Sequence, residues 1–362
     1  MISVKNLIRT AASVKLLILC LVILSVLVVW GTFYQVEYGV HAAQRSFFNS
    51  WLLFTPFGLP LPGVKSIIAL VSINLLSSFI TSFRFKWTNT GILLVHAGTA
   101  VLFLSGAVSS FTLRESVLTL GEGECSRESI DFNTWDLMLS GNSREQKAEI
   151  LDFSDLRAGK TCRFSRAGVS LAIQDIFTSC VAYGSSIDNL DSLLPKPQTK
   201  DQGANIPGLI ASASRNGLSG PEITLYGGAG KPSAFAIGTD TFRIILQPRR
   251  VKLPASIGLI SFSMETHPGS EDARRFTSRV GVSGIESPRE AVISMNKPFR
   301  YGSFTFYQAG YSKEAGRILS TFSVVENPIR FAPYTAGIII MAGLFLHFFL
   351  KFTLDIISRK AR

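Results

Sequence analysis

The sequence predicts a membrane α-helical plus all-β protein: four transmembrane helices, with a large extracytoplasmic antiparallel β-sandwich or barrel-like domain between helices three and four. Three observations lead there. Of 362 residues, 47% are hydrophobic and only 17% charged, which makes the bilayer the first solvent to consider. Four stretches run without formal charge for about the 17 to 25 residues that a spanning helix needs. Between the third and fourth, a long segment alternates short runs of β-branched and aromatic residues with turn formers.

The charge-free stretches are Leu16–Val36, Ser66–Phe83, Thr88–Leu113 and Phe331–Leu350. They place transmembrane helices at 16–36, 66–83, 90–110 and 331–351. The first reads as a retained anchor, because its apolar run is longer than that of a signal peptide and no small-residue cleavage site follows Trp30-Gly31-Thr32. Lys5, Arg9 and Lys15 precede it, Arg84 and Lys86 lie between the second and third, and Lys351, Arg359, Lys360 and Arg362 follow the fourth. Basic residues in short loops mark the cytoplasmic side. This predicts a cytoplasmic N-terminus (1–15), a cytoplasmic loop (84–89), a cytoplasmic tail (352–362) and an outer placement for residues 111–330. The net charge of +11 is therefore largely a topology signal and does not argue for a nucleic-acid partner.

Residues 37–65 read as an outer interfacial loop rich in aromatics and proline. Pro56, Pro60 and Pro62 argue against a further span, since each removes a backbone donor where no water replaces it. In the outer domain, Phe111–Leu120, Trp135–Ser140, Val169–Phe177, Glu222–Tyr226, Phe242–Gln247, Ile257–Glu265, Arg275–Val282, Ala291–Met295, Phe304–Tyr307 and Leu319–Val325 read as strands. Segment 184–235, richer in Gly, Ser, Pro, Asn and Asp, is expected to contain long mobile loops, with Pro195–Pro207 the least structured part.

Two of the four histidines, His96 and His347, fall within spans, where ionisable groups are costly and mark sites or pathways. His96 either ligates a metal or haem iron or only hydrogen-bonds a neighbouring helix, and the residues alone leave both open. Nearby Gly98 lets a helix or a flat ligand approach. His347, four residues before Lys351, either shares a pocket with His96 or sits at the headgroups. His41 and His267 lie on the outer side. Cys20 is in the first helix; Cys125, Cys162 and Cys180 lie in the outer domain, where they allow one disulfide and one leftover thiol. No phosphate-binding loop, nucleophile elbow or metalloprotease motif is present. Any catalysis then belongs to a cofactor or a partner.

Several segments together resemble the ResB family of cytochrome c biogenesis proteins, also called CcsB, of the system II pathway. They are Gly31-Thr-Phe-Tyr-Gln-Val-Glu-Tyr-Gly-Val-His-Ala-Ala-Gln44 with Phe48-Asn-Ser-Trp51, the Ile73-Asn-Leu-Leu76 core of the second helix, His96-Ala-Gly98 running to Leu104-Ser-Gly-Ala107, and Met295-Asn-Lys-Pro-Phe-Arg-Tyr-Gly-Ser-Phe-Thr-Phe-Tyr-Gln-Ala-Gly-Tyr311. Pro298 and Gly302 make the last of these a turn between two strands, and its aromatics also suit a domain core.

The resemblance implies a subunit of a cytochrome c synthase that helps move haem across the membrane and deliver it to apocytochrome c. It implies a tryptophan-rich ResC or CcsA-type membrane partner, a thioredoxin-like thiol reductant, transient haem b shared with the partner, and His96 as one axial ligand of the haem iron. The tryptophan-rich segment of fused relatives is missing here, so haem presentation falls to the partner. A cysteine that the family can place near the second helix's cytoplasmic end is replaced by Ser77-Ser78-Phe79-Ile80-Thr81-Ser82. The competing reading is a haem-independent membrane scaffold for a respiratory or envelope complex. A thiol-electron carrier would need two paired cysteines at membrane depth, and Cys20 is alone there.

Overall fold

The computed structural model describes residues 4–54, 58–82, 87–141, 148–186, 189–269, 273–284, 288–314 and 316–360. The chain divides into two compact units, residues 1–114 with 326–362 and residues 115–325.

The first unit is helical. Helices α1 (Val4–Ala11) and α2 (Val14–Tyr38) are followed by α3 (Val40–Ala43), a π turn, a ribbon of β1 (Leu52–Phe54) and β2 (Pro60–Pro62), then α4 (Val64–Ser82), α5 (Thr90–Thr112) and α6 (Ala332–Lys360). Four of these are long and apolar enough to cross a membrane: Val14–Tyr38, Val64–Thr81, Thr90–Thr112 and Ala332–Ile357. Gly39, at φ 87°, ends α2 in a conformation that glycine adopts most readily. The segment over 37–65, expected as an outer interfacial loop, carries α3, the π turn and the β1–β2 ribbon, and part of it packs against α2. Phe47 packs edge-on to Trp30, with ring centroids 5.3 Å apart, and Cys20, Leu27, Leu53, Val64, Ile67 and Val71 complete one apolar cluster. Pro60 and Pro62 sit on β2, which pairs only with β1, an edge where a missing donor does no harm. Pro56, Arg84, Lys86 and Arg362 lie outside the described residues.

Helix α6 runs on to Lys360, through the stretch expected as a tail. A charge ends a membrane span but not a helix, and Asp355 and Arg359, one turn apart, pair at 3.1 Å.

The second unit is β-rich. Its strands are β3 (Arg114–Gly121), β4 (Cys125–Gly141), β5 (Glu149–Asp152), β6 (Thr161–Phe164), β7 (Val169–Phe177), β8 (Cys180–Ser186), β9 (Asn189–Pro195), β10 (Gly208–Arg215) and β11 (Leu218–Tyr226). They continue through β12 (Ser233–Ile237), β13 (Asp240–Thr266), β14 (Ala273–Ser283), β15 (Arg289–Ser294), β16 (Phe299–Tyr301), β17 (Phe304–Glu314) and β18 (Arg317–Glu326). The largest sheet runs β15-β14-β13-β4-β3-β18-β17-β16, with β12 on β13 and β5 on β4; a smaller one runs β11-β10-β7-β6, and β8 and β9 form a hairpin. Every resolved register between paired strands is antiparallel.

Two apolar cores result, and β13 lines both: Phe242, Ile244 and Leu246 enter one, and Leu253, Ala255, Ile257 and Leu259 the other. Where it passes between them, Arg249 donates to Asp136 at 2.9 and 2.7 Å and to Asp152 at 2.7 Å. Bonding to Asp136 pushes the guanidinium pKa up against the effect of burial. Burial pushes Asp152 up, but hydrogen bonds from Arg249 and Ser154 outweigh it and hold its carboxyl below the usual range.

Two expectations are corrected. The first strand begins at Arg114, because α5 persists through Thr112. Segment 184–235, expected to contain long mobile loops, carries β8 to β12, and among its described residues the longest stretch without a strand is 196–207, within the part expected to be least structured. In β10, Leu209, Ala211 and Ala213 are buried alternately with Ile210, Ser212 and Ser214, the period of a half-covered strand.

Candidate functional site

Helix α5 presents different chemistry on two faces. Gly91, Leu94, Val95 and Gly98, at helical spacing, meet α6. A Cβ on Gly98 would fall 2.7 Å from Ile340 Cγ1 and 3.0 Å from the Ala336 carbonyl oxygen, and one on Gly343 would fall 2.8 Å from the Gly91 carbonyl oxygen. Only hydrogen side chains permit this approach, the small-residue packing common between membrane helices. The room beside Gly98 is therefore taken by a helix.

His96 lies on the opposite face, about half a turn away. Its Nδ1 stands 2.9 Å from the Ile92 carbonyl oxygen. A carbonyl only accepts, so Nδ1 carries the proton and Nε2 keeps its lone pair. The ring borders a groove of about 420 Å³ lined by Ser72, Leu75, Leu76 and Phe79 of α4 and by Ala97, Ala100, Phe103, Leu104 and Ala107 of α5. Among these walls, His96 is the only side chain with a strong metal-ligating atom. The hydroxyl of Ser72 is turned back on the Ile68 carbonyl at 2.8 Å.

Helix α4, the other wall, is set by a polar residue that sequence reasoning passed over. Asn74 is 4% exposed. Its Nδ2 donates to the carbonyls of Ala11 at 2.6 Å and Ser13 at 2.9 Å, on either side of the break between α1 and α2. A lone Asn in an apolar helix was the available signal, since such a residue needs a partner in lipid.

His347 lies across α5 from the groove, its backbone against Gly91. Its Nδ1 is buried and has no hydrogen-bond partner among the described residues. The structure thus puts the two span histidines on different sides of α5. His267 is exposed just beyond β13, and the side chain of His41 lies outside the described residues. All four cysteines are free thiols: Cys125 exposed, Cys162 half-buried, and Cys20 and Cys180 buried. Burial pushes the Cys180 thiol up to about 11. Among the described residues, no three His, Cys, Asp or Glu side chains gather as a metal cluster.

The Met295–Tyr311 motif builds core. Gly302 turns at φ 57°, Phe304 and Phe306 are buried, and Gln308 accepts from Ser278 at 2.7 Å and donates to Ser320 and the Gly310 carbonyl at 3.0 Å. Tyr311 packs against Phe276 and Phe262, centroids 5.3 and 5.7 Å away.

Four apolar helices and a large antiparallel β unit define a membrane protein with a substantial folded domain. The chain belongs to the ResB-like family, whose model matches residues 77–327, and that family is associated with cytochrome c biogenesis. The match covers His96 and the whole β unit and stops before α6, so His347 lies beyond it. No curated protein matches the chain significantly.

Proposed function

We propose that this chain is a subunit of a system II cytochrome c synthase, which helps carry haem across the membrane and deliver it to apocytochrome c outside the cytoplasm. The observation that carries the reading is His96: an imidazole whose Nδ1–H is held by its own helix, with Nε2 free beside an apolar groove. Haem, when bound, supplies an iron centre that takes such a nitrogen as an axial ligand. The residues fit this group: His96 offers the ligand, the Ile92 carbonyl orients its ring, and leucine, alanine and phenylalanine walls exclude water.

His96 would hold the haem iron from this chain, and a single ligating side chain in the groove lining supports a ResC or CcsA-type membrane partner that would supply the other ligand. In this reading the basic residues before α2, between α4 and α5 and late in α6 put both termini in the cytoplasm and the β unit outside, in a plasma or thylakoid membrane. The β unit then faces apocytochrome c, whose thiols a thioredoxin-like reductant keeps free.

The test is the visible spectrum of the chain purified with its partner, native and as His96→Ala and His347→Ala. A low-spin haem spectrum lost with His96→Ala supports the site. Its loss with His347→Ala as well would extend the site across α5. A colourless complex from haem-replete cells, with cytochrome c assembly indifferent to His96→Ala, would leave the scaffold reading standing instead.

A further inference from the structure

The groove beside His96 has a second end, seven residues from Ser72 along α4 and four from Ala107 along α5. Lys65 lies two turns before Ser72 on the same face of α4, and Phe111 lies one turn after Ala107 on the same face of α5. The two meet: Lys65 Nζ stands over the Phe111 ring, 5.8 Å from its centroid. That pair lies in line with the groove, beyond its lining at the end away from the α4–α5 connection. Lys65 is half-buried, and no carboxylate among the described residues pairs with it.

Among the described residues along this line, two polar groups are left without a hydrogen-bond or ion-pair partner. The Ser72 hydroxyl and His96 Nδ1 are engaged within their own helices, leaving His96 Nε2 and the Lys65 ammonium with apolar side chains between them. We infer that Lys65 is a carboxylate-binding residue at the far mouth of the groove, suited to a flat apolar ligand with its acid groups on one edge. This rests on the haem reading of the groove and adds a second recognition point to it. Fifteen residues of α5 separate His96 from Phe111, about 22 Å at 1.5 Å per residue. That exceeds the width of one porphyrin, so the lysine and the imidazole serve different positions along the groove. An ammonium binds a carboxylate through charge-assisted hydrogen bonds, and an ester gives it no charge to meet.

The test is a fluorescence titration of the full chain in dodecyl maltoside with metal-free protoporphyrin IX and with its dimethyl ester. Metal-free porphyrin has no iron for His96, so its binding reads the groove and Lys65 alone. The native chain is expected to prefer the diacid. Lys65→Gln should weaken diacid binding about tenfold and leave the ester unchanged, while Lys65→Arg keeps the preference. Unchanged ester binding also shows that the variant is folded. Equal diacid binding by the native chain and Lys65→Gln overturns the inference, as does loss of the native diacid preference in phosphatidylglycerol vesicles, which would assign Lys65 to lipid phosphate. In parallel, ferric haem is titrated into the native chain and His96→Ala. A His96-dependent haem spectrum with no Lys65 effect removes the lysine inference alone; no binding of either porphyrin removes the haem reading with it.

Discussion

Replacing Asn74 by Leu keeps the branched four-atom shape of the side chain and removes both bonds to the α1–α2 break, 2.6 Å to Ala11 and 2.9 Å to Ser13. The Ser13 carbonyl still accepts from Leu17 N–H at 3.2 Å, whereas in a water-soluble protein a buried carbonyl left unsatisfied, as at Ala11, would cost about 1–3 kcal/mol. Membrane double-mutant cycles give less, averaging about 0.6 and reaching about 1.7 kcal/mol per bond, because the unfolded chain also finds partners in the bilayer. Two bonds then predict a loss of about 1–3 kcal/mol, a shift of roughly five- to 150-fold in the unfolding constant. The assay is reversible unfolding of the full chain in mixed detergent micelles, with Ser72→Ala as control. Ser72 bonds only its own helix, so its removal should be neutral within about 0.5 kcal/mol. Because Ser72, Leu75, Leu76 and Phe79 share α4 with Asn74, a His96-dependent haem spectrum should also broaden in Asn74→Leu. Equal stability of Asn74→Leu and the native chain would refute the claim that these bonds set the position of α4.

Arg249→Leu leaves Asp136 and Asp152 facing each other where β13 passes between the two cores; with the guanidinium a third exposed, we expect a loss of about 1–3 kcal/mol in thermal unfolding. Because Asp152 has a lowered pKa, its contribution is present above the unfolded carboxylate value near 3.9 and lost as pH falls through the lower folded value. The gap between the native chain and Asp152→Asn should therefore narrow as denaturation midpoints are taken from pH 7 to pH 3. With a maleimide at pH 8, exposed Cys125 should label first and Cys162 slowly; Cys180, buried with its thiol pushed up to about 11, should label only on unfolding. Mass spectrometry of the labelled peptides orders the three. Gln308→Leu strands the Gly310 carbonyl and breaks the link to Ser278 and Ser320, for an expected loss of about 1–3 kcal/mol by thermal melting.

The helical spans and most strands were legible because lipid and a sheet core each impose a pattern on the side chains. A charge inside a span is too costly to hide, and a half-covered strand must alternate. Val169–Phe177 is read to the residue. The continuity of β13 was not, because Pro248 and Pro254 interrupt its apolar runs and read as breaks. In the structure Pro248 is the last residue paired with β4, opposite Trp135, before a register slip, and Pro254 falls in the unpaired gap between Lys252 and Ile257. A missing donor does no harm within that gap, and Pro248 stands where the ladder is about to slip. Strand β10 was hidden for a different reason, since small residues such as Ala211 and Ala213 build a buried strand face without the β-branched composition that announces one.

At the candidate site, His96 stood out because an imidazole in a span is rare, but its surroundings carried an ambiguous signal. Small residues near it serve equally to admit a helix or a flat ligand. The phase of the helix separates the two uses. Gly91 and Gly98 fall on the side that α6 fills, while Ala97, Ala100 and Ala107 fall with His96 on the side that stays open. A methyl group suits the open wall because it keeps the groove shallow without collapsing it, whereas even a methyl is too much at Gly98, where the neighbouring backbone lies 3.0 Å from any added Cβ. Enlarging Gly98 therefore perturbs the α5–α6 joint, and enlarging Ala100 perturbs the groove. The two substitutions sit two residues apart, yet only the second acts directly on a ligand held by His96.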